Sequence, residues 1–152
     1  MKAPDPLRLE WLGFADFSAA LLYEVLRFRQ AVFVVEQRCA YPDLDGRDQA
    51  ARHLLLWSGD ALAGYLRLMP FKAERRVAIG RVAVGADFRG QGLARRLMQE
   101  ALAACERDHS GCSVVLGAQT YLARFYESLG FVAVSAVYDD YGVPHIDMVL
   151  RS

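Results

Sequence analysis

The stretch FRGQGLARRLM, Phe88 to Met98, sits where an apolar run suited to a strand gives way to one with helical spacing. Two glycines mark the junction, with arginines at 89, 95 and 96. The start of a helix leaves its first backbone N–H groups unpaired and carries a partial positive charge. Phosphate groups bind there. Gly90 and Gly92 let the backbone approach a bulky anion because no Cβ intervenes. Ala94 is small for the same reason, and Arg89, Arg95 and Arg96 add charge at the rim. A plain strand-to-helix turn is the competing reading. Two other phosphate loops fail: no Gly-Lys pair exists for a P-loop. A dinucleotide fingerprint would need a glycine where Arg95 stands, and an acidic residue ending the next strand.

Working outward, RVAIGRVAV (76–84) reads as a β-rich run before the glycines. After them, Leu93, Leu97, Met98, Ala101, Leu102 and Cys105 recur on one helical face. Upstream, HLLLW (53–57) and ALAGYLRLM (61–69) flank a Gly59-Asp60 turn as a hairpin. Residues 7–12 suit a short first strand. Asp16 or Ser18 is placed to cap a helix carrying Phe17, Leu21, Leu22, Val25, Leu26 and Phe28, with a weaker continuation through AVFVVEQ. RCAYPDLDGRDQAAR is polar and turn-rich, the longest expected loop. Downstream come a buried strand at SVVLGA (113–118), a helix at TYLARFYESLG (120–130) ending on Gly130, and strands at 131–138 and 145–150 around the turn DDYGVP. The order predicts one mixed α/β domain without linker or repeat.

The chain has 152 residues, 54% of them hydrophobic and 24% charged, which fits one compact domain. Its 18 basic and 18 acidic residues cancel, whereas a nucleic-acid binder usually carries a basic surplus. Cys39, Cys105 and Cys112 form neither a disulfide framework nor a metal motif. No metal is expected. No run approaches the roughly 18 apolar residues of a membrane span. Pro4, Asp5 and Pro6 stand where a signal peptide needs an apolar stretch. The expectation is a cytoplasmic protein with no membrane partner.

Arg89-Gly90-Gln91-Gly92-Leu93-Ala94, directly after the VAV strand, resembles the R/Q-x-x-G-x-G/A signature of the GNAT N-acetyltransferase superfamily. ARFYESLGF (123–131) resembles the later motif of that family, a helix ending in Y-x-x-x-G-F. FRQAVFVVEQRCAYPDLDG, IGRVAV, GAQTYLARFY and YGVPHIDM resemble segments of its ElaA-like subfamily, over most of the chain from about Leu22 onward. The resemblance implies a seven-stranded mixed sheet with about four helices on its two faces. Its fourth and fifth strands splay apart to hold the pantetheine arm of acetyl-CoA. By match, the pyrophosphate rests on backbone N–H groups of Gly90, Gln91, Gly92, Leu93, Ala94 and Arg95, beside Arg89. Val82, Ala83 and Val84 pair their backbone with the pantetheine. Gln119 falls where many relatives carry a cofactor-touching asparagine.

The implied reaction moves an acetyl group from a thioester to an amine. An amine of pKa about 10.4 must lose a proton before it attacks. The resemblance places Tyr126 as general acid for the leaving thiolate. Neither RVAIGRVAV nor SVVLGA contains the acidic residue that many relatives use as base. Glu36, Asp43, Asp45, His53 and His145 are the candidates, or a water chain held by several of them; for His53 and His145 a satisfied structural histidine is the competing reading. Glu36, after the apolar AVFVV, is expected at the cleft floor as a catalytic or acceptor-binding group. Asp43, Asp45 and Asp48 are either a solvated turn or an anionic rim that attracts a cationic amine. Arg67 and Arg81, inside apolar strands, need an acid or a polar cleft. The expected partners are acetyl-CoA and an amine acceptor, with a homodimer through an exposed edge strand. The alternatives are a CoA-binding sensor on the same fold and a longer acyl donor.

Overall fold

The strands at 53–57 and 61–69 read as unbroken apolar runs because the sheet is covered on both sides. Alternate residues of one strand point to opposite faces. Leu54 and Leu56 pack with Leu66 and Leu68 on one face; Leu55, Trp57 and Tyr65 pack on the other. The computed structural model describes residues 5–151. Its strands are β1 (Leu7–Gly13), β2 (Arg52–Ser58), β3 (Ala61–Phe71), β4 (Arg76–Val84), β5 (Ser113–Gln119), β6 (Phe131–Ala133), β7 (Tyr138–Asp140) and β8 (Val143–Leu150). They form a mixed eight-stranded sheet in the order β1-β2-β3-β4-β5-β8-β6, with β7 pairing β8 off this path. Seven strands were expected. The eighth arises because the run at 131–138 breaks: β6 pairs β8 over three positions only, and the chain returns as β7 after Val134.

Three α-helices cover the sheet, α1 (Ala19–Gln30), α2 (Leu93–Asp108) and α3 (Ala123–Glu127), where about four were expected. Ser18 caps α1, its Oγ accepting from the Leu21 N–H at 3.1 Å, while Asp16 accepts from the Gly13 N–H at 2.9 Å. The continuation through AVFVVE winds as a π-helical turn, Ala31–Glu36, a distortion frequent at functional sites. Helix α1 packs through Val25 against Leu55, Trp57 and Tyr65. Helix α2 packs through Leu97, Met98 and Ala101, and α3 through Tyr126, on the opposite face. A Cβ at Gly64 would lie 2.9 Å from Leu97 Cδ1 and 3.3 Å from the Ala83 carbonyl, so only glycine lets α2 seat this close to β3. The predicted helix at 120–130 is a 3₁₀ turn leading into α3, and Gly130, at φ +101°, ends it. The turn expected over DDYGVP shrinks to Tyr141 and Gly142, both at positive φ (51° and 85°), as a two-residue hairpin requires.

Every ladder in the sheet is antiparallel except β4–β5. That parallel pair holds only at Arg76–Ser113, Val77–Val114 and Ala78–Val115. Beyond Ala78 the two strands part, while β5 stays paired with β8 along its other edge. The strand edge from Ile79 to Val84 therefore faces a cleft rather than a neighbour.

Candidate active site

The cleft is a cavity of about 890 Å³, lined by the free edge of β4, the glycine loop, the start of α2, β5, α3, the π-helical turn and the β7–β8 hairpin. A pocket of this size suits a sizeable small molecule. All the sequence-predicted cofactor residues from Val82 to Val84, and Arg89, Gly90, Gly92, Leu93, Ala94, Arg95, Gln119 and Tyr126, line it; Gln91 does not. Its absence suits a loop that acts through its backbone.

Gly90 and Gly92 adopt φ of +78° and +74°, a conformation that costs an L-residue about 1–2 kcal/mol. Gly92 is the N-cap of α2 and supplies no side-chain cap. The first helical backbone bond runs from the Arg96 N–H to the Gly92 carbonyl, 3.2 Å. The N–H groups of Leu93, Ala94 and Arg95 thus stand ahead of the helical ladder, at its positive end, open to the cavity. These donors fit a pyrophosphate.

The arginines behave differently from the rim charges expected. Arg89 donates through Nε to the Val84 carbonyl, 3.1 Å, and grips Glu36 with both terminal nitrogens, Nη2 lying 2.6 Å from Oε1. Arg95 donates to Ser128 Oγ at 2.8 Å and lies over the Phe125 ring. Glu36 is on the exposed cleft wall rather than at the floor, and the hydrogen bonds from Arg89 hold its carboxyl below the usual carboxylate range. That environment makes it a poor proton acceptor. Gln119 donates to Gln37 at 3.2 Å, joining β5 to the loop after the π-helical turn. Tyr126 is 7% exposed, and its phenol makes no hydrogen bond among the described residues. Burial pushes its pKa up to about 12, so the hydroxyl keeps its proton at neutral pH.

The acidic loop before β2 is neither a solvated turn nor an anionic rim. Arg29, fully buried on the inner face of α1, donates to Asp43 Oδ2 (3.1 Å), the Asp43 carbonyl (2.9 Å) and Asp48 Oδ1 (2.7 Å). Arg67 reaches Asp45 at 2.5 and 2.9 Å and Asp48 at 3.0 Å. Arg81, held at φ +52° where β4 bulges, lies 2.8 Å from Asp43 Oδ1 and donates to the Asp43 carbonyl at 3.0 Å. Three arginines and three aspartates thus neutralise each other beneath the cleft. His53 belongs to this cluster. It donates through Nε2 to the Asp48 carbonyl (3.0 Å), which leaves Nδ1 to accept from Tyr65 at 2.5 Å. Burial holds its imidazole below the usual value, so it stays neutral. Asp43, Asp45 and His53 do not line the cavity. Burial alone would raise the carboxyls of Asp45 and Asp48, but hydrogen bonds from Arg67 and Arg29 outweigh it and hold both below the usual range. Carboxylates depressed on folding contribute stability above their unfolded pKa, about 3.9, and lose it as pH falls towards the folded value. Urea unfolding is therefore expected to give similar free energies at pH 7 and 5 and a steep loss below about pH 4. A stability unchanged down to pH 3 would contradict the network.

The sequence reading missed Arg29, which its apolar neighbours on α1 concealed, and Asp140, hidden in a segment read as turn. Cys39 lines the cavity and donates to the Tyr141 carbonyl at 3.5 Å; Cys105 is buried in the core. No cluster of metal-ligating side chains occurs among the described residues, and no helix there is long and apolar enough to cross a membrane.

The site thus joins a parallel strand pair that opens after three residues to an uncapped helix start. An acyl-CoA N-acyltransferase from Pseudomonas aeruginosa superposes with a TM-score of 0.89 at 41% identity, over 96% of this chain and all of that one. ElaA of Escherichia coli is 41% identical over 92% of this chain and 95% of its own length. Its crystal structure superposes with a TM-score of 0.90 over 96% of this chain and all of that one. A GNAT acetyltransferase from Elizabethkingia anophelis, solved with acetyl-CoA bound, shares the fold at 13% identity (TM-score 0.70, 96% of this chain and 98% of that one). The family model of the acetyltransferase (GNAT) domain matches residues 22–152. The chain belongs to the GNAT acetyltransferase family, in its ElaA-like group.

Proposed function

We propose that the protein transfers the acetyl group of acetyl-CoA to a primary amine. The observation that carries this reading is the pairing of two surfaces across one cleft. One is the run of free N–H groups at Leu93, Ala94 and Arg95. The other is the unpartnered edge of β4 from Ile79 to Val84. The first binds a pyrophosphate through charge-assisted backbone bonds. The second adds a peptide-like arm as a further strand would be added. Acetyl-CoA has both parts and supplies a thioester whose carbonyl an amine attacks.

Tyr126 is the proton donor. Its ring is buried while the residue lines the cavity, and its hydroxyl is protonated at neutral pH and has no other partner among the described residues, so it delivers its proton to the departing sulfur as the carbon–sulfur bond breaks. Tyr126→Phe is expected to lower kcat about a hundredfold while acetyl-CoA affinity stays within twofold, read by thiol release and by calorimetry. Unchanged turnover would remove Tyr126 from the chemistry. Absence of turnover in the wild type, with acetyl-CoA bound, would favour a CoA-binding sensor.

A further inference from the structure

The charges lining the cavity leave one carboxylate over. Glu36 and Arg89 cancel, and Arg81 is neutralised by Asp43 and Asp45. Arg95 lies at the glycine-loop end. Asp140, on β7, remains, and its only ion-pair partner among the described residues is His145, whose Nε2 lies 3.9 Å from Oδ2. His145 is built into place. It faces Gln119 across the β5–β8 ladder and stacks on Tyr138 at 6.0 Å. Nδ1 lies 2.9 Å from the Val143 carbonyl, which only accepts, so Nδ1 carries the proton and Nε2 keeps its lone pair. Two acceptors 3.9 Å apart are both within hydrogen-bond reach of a single ammonium group between them.

Resting on the acetyl-transfer reading above, we propose that the β7–β8 hairpin carries the acceptor site. There Asp140 holds a primary amine in its ammonium form, and Nε2 of His145 removes its proton. One N–H bond of the ammonium breaks, an Nε2–H bond forms, and the electron pair stays on the amine nitrogen. The resulting imidazolium faces Asp140, which stabilises it. The other candidate bases are unavailable, because Asp43 and Asp45 are paired with arginines and, like the buried His53, lie outside the cavity lining, and Glu36 is held by Arg89. The acceptor class is a primary amine that is cationic in water.

The test compares wild type, Asp140→Asn and His145→Gln, each checked for acetyl-CoA affinity by calorimetry and for acetylation of n-butylamine, agmatine and tyramine by thiol release. At least one of these amines should react. Asp140→Asn should raise its KM about tenfold and, because the imidazolium loses its counter-charge, lower kcat a few-fold, well short of the loss at His145. His145→Gln should lower kcat about a hundredfold, but only a few-fold with hydrazine at mildly alkaline pH, where that nucleophile is already neutral. Acetyl-CoA affinity should be the same in all three. If the wild type fails to bind acetyl-CoA, the donor reading falls and this site with it. If it binds acetyl-CoA yet acetylates none of the three amines, or if both variants match the wild type, the acceptor site is wrong and the donor reading stands.

Discussion

Gly92→Val is expected to weaken acetyl-CoA binding at least about a hundredfold and to leave the protein folded. Gly92 sits at φ +74°, and nothing lies within 4 Å of where a Cβ would be. The substitution therefore meets no clash in the free protein; it meets backbone strain. A left-handed conformation costs an ordinary residue about 1–2 kcal/mol, and a β-branched one suffers most. Against a typical domain stability of about 5–15 kcal/mol, this leaves the protein folded. The chain relieves the strain by turning residue 92 to negative φ, which redirects the N–H groups of Leu93, Ala94 and Arg95. Each hydrogen bond to a charged phosphate is worth about 1.5–3 kcal/mol, so losing two weakens binding by at least about a hundredfold. Titration calorimetry reads the effect directly. Gln91→Ala, on a side chain outside the cavity lining, should bind like wild type. A valine variant of full affinity would show that the loop is only a turn.

Arg29→Met gives the largest loss of stability expected from a single side chain. The guanidinium is fully buried and serves Asp43 and Asp48 together. Removing it leaves Asp48 to Arg67 and Asp43 to Arg81, one positive charge short in the cluster, and breaking a buried ion pair from one side costs about 3–5 kcal/mol. For a domain of this size each kcal/mol moves Tm by about 2–4 °C, so the midpoint should fall by about 6–20 °C. Arg107→Gln, which disturbs only an exposed pair with Asp108, should cost less than about 1 kcal/mol. Thermal unfolding followed by circular dichroism compares them. Equal midpoints for the two variants would mean that the buried cluster adds nothing to stability.

What the sequence made legible was local. The glycine junction announces itself because only glycine takes φ near +75° without strain, and HLLLW declares a strand covered on both faces. The cap at Ser18 and the stop at Gly130 are equally short-range. The acidic loop was misread because its meaning depends on partners far along the chain: Asp48 is 19 residues from both Arg29 and Arg67. In sequence, three aspartates beside Gly46 and Pro42 look like a solvated turn. Only folding brings two buried arginines and the partly exposed Arg81 over them. Glu36 was misplaced for a similar reason. The apolar AVFVV before it suggested burial, but the π-helical turn carries its side chain out to Arg89, 53 residues away. Asp140 and His145 stand five residues apart, and a two-residue turn sets them diagonally on one side of the β7–β8 hairpin, closer than the longer turn the sequence suggests.

The balance of three arginines and three aspartates under the cleft also limits how this protein can change over generations. Any lone replacement among Arg29, Arg67, Arg81, Asp43, Asp45 and Asp48 leaves an odd charge in a cluster whose centre, Arg29, Arg67, Asp43 and Asp48, is buried. The cheapest surviving route alters an opposite pair together, or trades both for apolar residues of matching bulk. These six positions should therefore drift as couples among descendants of this chain, while the lining of the cavity varies one residue at a time.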